Sequence, residues 1–309
     1  MTSVVATPDG PALRVGARPR LQHAGDVRVR VELAGICRTD VIASRCGLGC
    51  RPGRVLGHEF AGTVIEIGAA VTHLASGQAV TATPYFTCGR CRDCQLTEGR
   101  LCQASSFLGV DRDGAFAEQV VIPGGAVRPL PPAMSWRHGA YVEPVAASLA
   151  VMNAQLPPDR HGLIYGHGRI AELTQRVLAV HGFTQVDRCA ALADLPSGRR
   201  YAYVIETTAA ADGIADLLYA VEPGGRVVLK SRPAAPVSFD LALAVQREIT
   251  FHAVHYGDFD EAIRLLATGA LDVDDLLGET YPLAAFEAAF AADTGARKIF
   301  LAPHGATVS

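Results

Sequence analysis

The chain of 309 residues carries 28 Lys and Arg against 31 Asp and Glu, and 49% of it is hydrophobic. Length and composition fit one large or two ordinary α/β domains with substantial cores. A net charge of −3 leaves no electrostatic footprint for nucleic acid. No apolar run approaches the roughly 20 residues that span a bilayer, and the start lacks a charged segment followed by an apolar core, so cytoplasmic residence is expected.

Residues 1–145 read as β-rich: Val27–Leu33, Phe60–Ile67, Gln78–Thr83 and Ala117–Ile122 are alternating or β-branched runs between Gly, Pro and Asp punctuation. From about residue 146 the texture changes. Strand candidates Gly162–Gly166, Phe183–Asp187, Tyr201–Thr207, Arg226–Lys230 and Ile249–His255 alternate with helical patterns at Ile170–Val180, Ile214–Val221 and Phe259–Ala267. Such alternation implies βαβ units and a parallel sheet. The tail ends in a strand-like Lys298–Leu301.

Cys88, Cys91, Cys94 and Cys102 follow the spacing C-x2-C-x2-C-x7-C. Four soft ligands this close can surround one metal at about 2.3 Å, as a structural zinc site does. An iron–sulfur cluster is the rival, but ferredoxin runs close with C-x3-C-P, and here Gln103 follows the last cysteine. In a chain of this size the clustering favours metal ligation over disulfides. Cys46 and Cys50 lie outside the cluster and read as loop thiols.

A second, harder donor set is spread over Gly35-Ile36-Cys37-Arg38-Thr39-Asp40, Gly57-His58-Glu59-Phe60 and Glu143-Pro144. One thiolate, one imidazole and one or two carboxylates can hold zinc with a position left open. Singly, each has an ordinary reading: a core thiol, a turn histidine, a surface carboxylate. A third constellation, Gly166-His167-Gly168-Arg169-Ile170-Ala171, reads as G-x-G-x-x-A between a strand and a helix, suited to a pyrophosphate. Asp187 lies 19 residues beyond Gly168, at the end of the next strand candidate. An acid there accepts from ribose hydroxyls and disfavours a 2′-phosphate. The adjacent Arg188 works against that preference.

The order GICRTD, GHEFAGTVIEIG, the cysteine cluster and YVEPVAASLAV resembles the zinc-dependent medium-chain dehydrogenases, the alcohol, polyol and threonine dehydrogenase superfamily. The resemblance implies an α/β chain. A GroES-like β-rich catalytic domain over 1–148 carries a structural zinc lobe. A Rossmann doubly wound parallel-sheet domain covers 149–270, and 271–309 returns to the catalytic domain. It implies two zinc ions per chain: a catalytic one on Cys37, His58 and Glu143, with Glu59 exchangeable, and a structural one on Cys88, Cys91, Cys94 and Cys102. Thr39 would hydrogen-bond the substrate oxygen and pass its proton, and Asp40 would orient His58 or the loop. Arg38, Gly166, Gly168, Arg169, Ile170, Asp187 and Arg188 would serve the cofactor, NAD with NADP not excluded.

The implied activity is hydride transfer between a secondary alcohol of polyol, sugar or cyclitol type and its ketone. The alternatives are redox-neutral epimerisation with tightly held NAD, or a non-catalytic scaffold. The implied partners are a small alcohol or ketone and further copies of the chain, as a homodimer or homotetramer, with no nucleic acid or membrane. Three departures stand out. Ile42 occupies the place of the family's relay histidine, His167 and Arg169 enlarge the glycine turn, and only about thirteen residues from Arg188 to Arg200 replace a usual helix and strand, with Pro196-Ser197-Gly198 interrupting them.

Overall fold

The computed structural model describes residues 1–97, 102–195, 198–208, 211–233 and 236–305. Contacts divide the chain into one compact unit of Met1–Glu143 with Asp274–Ser309, and a second of Pro144–Val273. The first division falls inside helix Val142–Leu149.

The first unit is built on a seven-stranded sheet. Its order is Leu277–Pro282, Lys298–Ala302, Asp26–Gly35, Glu59–Ile67, Ala79–Ala82 and Val127–Pro129, with Gln119–Pro123 also paired to Asp26–Gly35. Strand Asp26–Gly35 shows why the sequence folds this way. Val27, Val29, Val31 and Leu33 alternate with polar residues and are fully buried, the period-two pattern of a sheet with one face on a core. Phe60, Phe116, Leu56, Leu108 and Ile122 fill that core. Strand pairing sets Gly35 opposite Glu59, and Phe300 opposite Gly35, so three distant segments converge at one corner.

The second unit holds a five-stranded parallel sheet in the order Val186–Cys189, Gly162–Tyr165, Tyr201–Glu206, Val221–Leu229 and Thr250–Ala253. Alternate strand residues serve two cores. Ile164, Tyr203 and Ile205 pack with Ala171 and Leu178 of helix Arg169–Val180. Leu163, Tyr165 and Val204 pack with Leu217 and Ala220 of helix Ala211–Ala220. Apolar residues on both faces give the continuous hydrophobic runs of a doubly wound sheet.

The second strand begins three residues later than its sequence candidate. Helix Arg169–Val180 stops at His181, and Gly182 takes φ +87°. The Gly182 and Phe183 amides then donate to Ala179 and Leu178 carbonyls, a closed helix end whose first apolar residue tucks back onto the helix. Phe183 is therefore a capping contact, set edge-on against Tyr203 at 5.9 Å. Between Cys189 and Tyr201 the described residues form one short turn, Leu192–Asp194, and Pro196 and Ser197 lie outside them. The sheet thus has strands in the positions 2-1-4-5-6 of the usual order, with Val186–Cys189 at its edge. Among the described residues no helix is long and apolar enough to cross a membrane.

Candidate active site

Cys37 ends the run into helix Arg38–Ala43 as its N-cap. Asp40, on the first turn and 1% exposed, ties the surrounding loops together. Its Oδ2 accepts from the Cys37 amide at 2.9 Å, and its Oδ1 accepts from the Gly57 amide at 3.1 Å and faces His58 Nδ1 at 3.1 Å. A carboxylate on Nδ1 fixes the tautomer that leaves Nε2 as a lone-pair donor. His58 Nε2 in turn lies 3.8 Å from Glu143 Oε1. The Phe107 ring, 5.2 Å from the imidazole centroid, shields it. Burial alone opposes a charged ring, but the Asp40 carboxylate and the Cys37 sulfur outweigh it and hold His58 well above the usual histidine value.

Donor atoms of Cys37, His58 and Glu59 lie within 4.8 Å of one another. Glu143 meets this group through His58. Glu59 also forms a buried ion pair with Lys298, whose ammonium donates to the Ile36 carbonyl at 2.9 Å. Both side chains are 1–2% exposed. Gly35 makes the corner possible, because a Cβ there would meet Glu59 Oε2 at 2.7 Å and Lys298 Cδ at 3.0 Å. Lys298 had been read only as the start of a strand. Lysine defaults to the surface, and nothing local announces a partner 239 positions away. Thr39 is half-buried beside this group, Arg38 is exposed, and Ile42 is exposed on the same helix.

The four clustered cysteines also converge, with sulfurs within 4.8 Å of one another and Cys88 Sγ 3.8 Å from Cys94 Sγ. Tetrahedral thiolates about 2.3 Å from one metal stand about 3.8 Å apart. Backbone amides of Cys88 and Cys94 point at Cys102 Sγ and Cys91 Sγ, each at 3.4 Å. Amides of Arg90 and Cys91 aimed at Cys88 bring its thiol down to about 6, while burial pushes Cys94 up to about 12. The Cys88 thiolate therefore forms readily, and Cys94 holds its proton until a cation displaces it.

In the second unit, Gly166 (φ +136°) and Gly168 (φ +86°) turn the chain from strand Gly162–Tyr165 into the twelve-residue helix Arg169–Val180. Gly168 is the helix N-cap and is exposed. The turn offers backbone N–H groups at a helix start, a fit for a diphosphate. Ile170 is half-buried on the first turn and His167 is exposed. Arg169, expected to serve the cofactor, is only 7% exposed.

Asp187 and Arg188 are not at the turn. Asp187 is the second residue of Val186–Cys189, in register with Leu163, whereas the Gly166 amide bonds the Cys189 carbonyl at 2.8 Å. Its Oδ2 accepts from the Tyr201 hydroxyl at 2.8 Å and pairs with Arg199 at 3.4 Å, and its Oδ1 faces His161 Nε2 at 3.2 Å. Arg188, on the other strand face, is paired with Glu172. The strand starts later than its sequence candidate, so its carboxyl end falls at Cys189, two residues beyond Asp187.

The model of the alcohol dehydrogenase GroES-like domain matches residues 23–132. The L-threonine 3-dehydrogenase of Streptomyces coelicolor is 30% identical over 310 residues, covering 87% of this chain and 88% of that protein. The chain belongs to the zinc-dependent medium-chain dehydrogenase family. The D-xylulose reductase of Morganella morganii is also 30% identical, over 83% of the chain and 86% of that protein. A protein described as a zinc-binding dehydrogenase of Sinorhizobium meliloti, solved with NADP bound, superposes with a TM-score of 0.88 at 26% identity, covering 98% of this chain and 99% of that one. As a family member the chain is an oxidoreductase of the alcohol and polyol dehydrogenase type.

Proposed function

We propose that this enzyme interconverts a secondary alcohol of polyol or sugar type and its ketone, with NAD(P) as hydride carrier and two zinc ions per chain. The D-xylulose reductase and threonine dehydrogenase relatives act on hydroxyl-bearing small molecules by their names, and that class is carried over here. The observation that carries the reading is the meeting of Cys37, His58 and Glu59 within 4.8 Å, with Glu143 3.8 Å from His58.

In this reading Cys37, His58 and Glu143 hold the catalytic zinc. Glu59, anchored by Lys298, is positioned to enter or leave the set. Bound there, zinc supplies Lewis acidity that lowers the pKa of an alcohol oxygen. Asp40 keeps the His58 ring oriented with its Nδ1 proton engaged. Phe107 keeps water from the imidazole face. Thr39 takes the hydroxyl proton through its Oγ1. With Ile42 where a relay histidine would stand, that proton leaves by way of water at the exposed helix face. Cys88, Cys91, Cys94 and Cys102 hold the second zinc and keep their lobe folded.

Assembly as a homodimer or homotetramer is part of the proposal. Among the described residues strand Thr250–Ala253 is a sheet edge; its exposed Phe251 lies 5.1 Å from exposed Phe239, and Leu241 and Val245 are exposed on helix Leu241–Gln246. Unpaired edges beside apolar side chains favour burial against another copy. A cytoplasmic, reducing setting suits eight cysteines with no disulfide among them.

The test is a panel of polyols, sugars and hydroxy amino acids with NAD and NADP, followed by absorbance of the reduced cofactor. Turnover on at least one secondary alcohol, lost in Cys37→Ser, is expected. Turnover that survives Cys37→Ser overturns the assignment.

A further inference from the structure

The dinucleotide reading above leaves open which nucleotide the site prefers, and the second unit addresses that from its own geometry. In a doubly wound sheet the acid that reads the ribose 2′-hydroxyl stands at the carboxyl end of the second strand, about twenty residues past the glycine turn. Here that end is Cys189, marked by its bond to the Gly166 amide. Cys189 is a buried thiol, and the next two residues, Ala190 and Ala191, are exposed methyl groups. Neither can accept from a hydroxyl or repel a phosphate.

Among the described residues, the two charged side chains just before that end, Asp187 and Arg188, are already paired. Asp187 is held by Tyr201, His161 and Arg199. Two of these mark the amino ends of the neighbouring strands: His161 precedes Gly162 and Tyr201 opens Tyr201–Glu206. Arg199 also stacks 5.8 Å over Tyr201, so the cluster is a clasp across the end of the sheet opposite the glycine turn. Arg188 is paired with Glu172, which Arg176 bonds as well at 2.9 Å. Beyond Ala191 the turn Leu192–Asp194 stands in place of a further strand. Its Asp194 carboxylate accepts from its own turn, at the Ala191 amide, 3.3 Å away.

We propose that the adenosine 2′ position goes unread in this enzyme, so that NAD and NADP are bound with nearly equal affinity through the pyrophosphate contacts they share. The grip comes from the Gly166–Gly168 turn and the first turn of Arg169–Val180, which meet the same diphosphate in both nucleotides. The inference rests on the dehydrogenase reading, and its test separates the two.

The full chain is titrated with NADH and with NADPH, following nucleotide fluorescence, together with Asp187→Ala and Ala190→Asp. Thermal melting is recorded for each. The parent is expected to hold the two nucleotides within about threefold of each other. Asp187→Ala should keep that ratio within about twofold while melting earlier, because it loses the clasp. Ala190→Asp should move the ratio toward NADH by about tenfold or more, since a carboxylate at the true strand end opposes the 2′-phosphate. This variant carries the test even where Asp187→Ala does not fold. A parent preference above about tenfold that Asp187→Ala abolishes overturns the inference, as does an unchanged ratio in Ala190→Asp. Absence of binding by both nucleotides overturns the cofactor reading and the inference with it, whereas selective binding overturns the inference alone.

Discussion

Replacing Lys298 with methionine keeps most of the buried stem and removes its charge. Glu59 is then a carboxylate about 1% exposed with its cation gone, and the Ile36 carbonyl loses its 2.9 Å donor. Leaving one member of a buried pair unmatched costs about 3–5 kcal/mol. The middle of that range is a loss of about 4 kcal/mol. For a unit of this size about 2–4 °C is lost per kcal/mol, or about 8–16 °C in melting temperature. Calorimetry of metal-stripped protein measures it without interference from zinc. Lys298→Met combined with Glu59→Gln should recover most of it, because no unmatched charge is then left buried. A single variant melting within about 2 °C of the parent, or a double variant that recovers nothing, would refute the reasoning.

Asp40→Asn keeps the side-chain size but leaves one acceptor oxygen for the Cys37 and Gly57 amides and His58 Nδ1; zinc affinity at the catalytic site should fall about 10–100-fold, read by competition with a chromogenic chelator, with the cysteine-cluster zinc unchanged. Cys94→Ser removes one of four converging sulfurs and should release one zinc and lower the melting temperature of the first unit, while Arg169–Val180 and its sheet stay folded by hydrogen exchange. For acid stability, the bond from Arg188 leads the causes that hold Glu172 below the usual carboxylate value. A depressed carboxyl contributes stability that is present above its unfolded value near 4.5 and is lost as pH falls through the folded value. Glu172→Gln should therefore lower the melting temperature at pH 6–7 and flatten its decline below about pH 4.5, as scanning calorimetry across that range can check.

Much of the site was legible because its residues sit in compact local runs. Cys37 to Asp40 and Gly57 to Glu59 are each contiguous, and four cysteines within fifteen residues need only a local fold to converge. What local patterning did not carry was pairing between remote segments. Lys298 enters the site only because Lys298–Ala302 is the neighbour of Asp26–Gly35 in the sheet. Phe107 reaches His58 from a two-residue strand that no period could signal. The place of Asp187 in its strand was partly legible. Gly182 followed by an apolar residue is a helix-end signal, which makes Phe183 a capping residue and leaves Asp187 second in the strand rather than last. The short Arg188–Arg200 segment leaves little chain for a further helix and strand, and among the described residues the sheet ends at Val186–Cys189.

The most direct measurement of the central claim is the zinc content of the purified protein and of Cys37→Ser, determined by atomic emission alongside activity. Two zinc ions per chain in the parent, and one in an inactive but folded Cys37→Ser, are the expected results. A parent with a single zinc that Cys37→Ser retains, or a variant that keeps both ions, contradicts the catalytic metal site built on Cys37, His58 and Glu143.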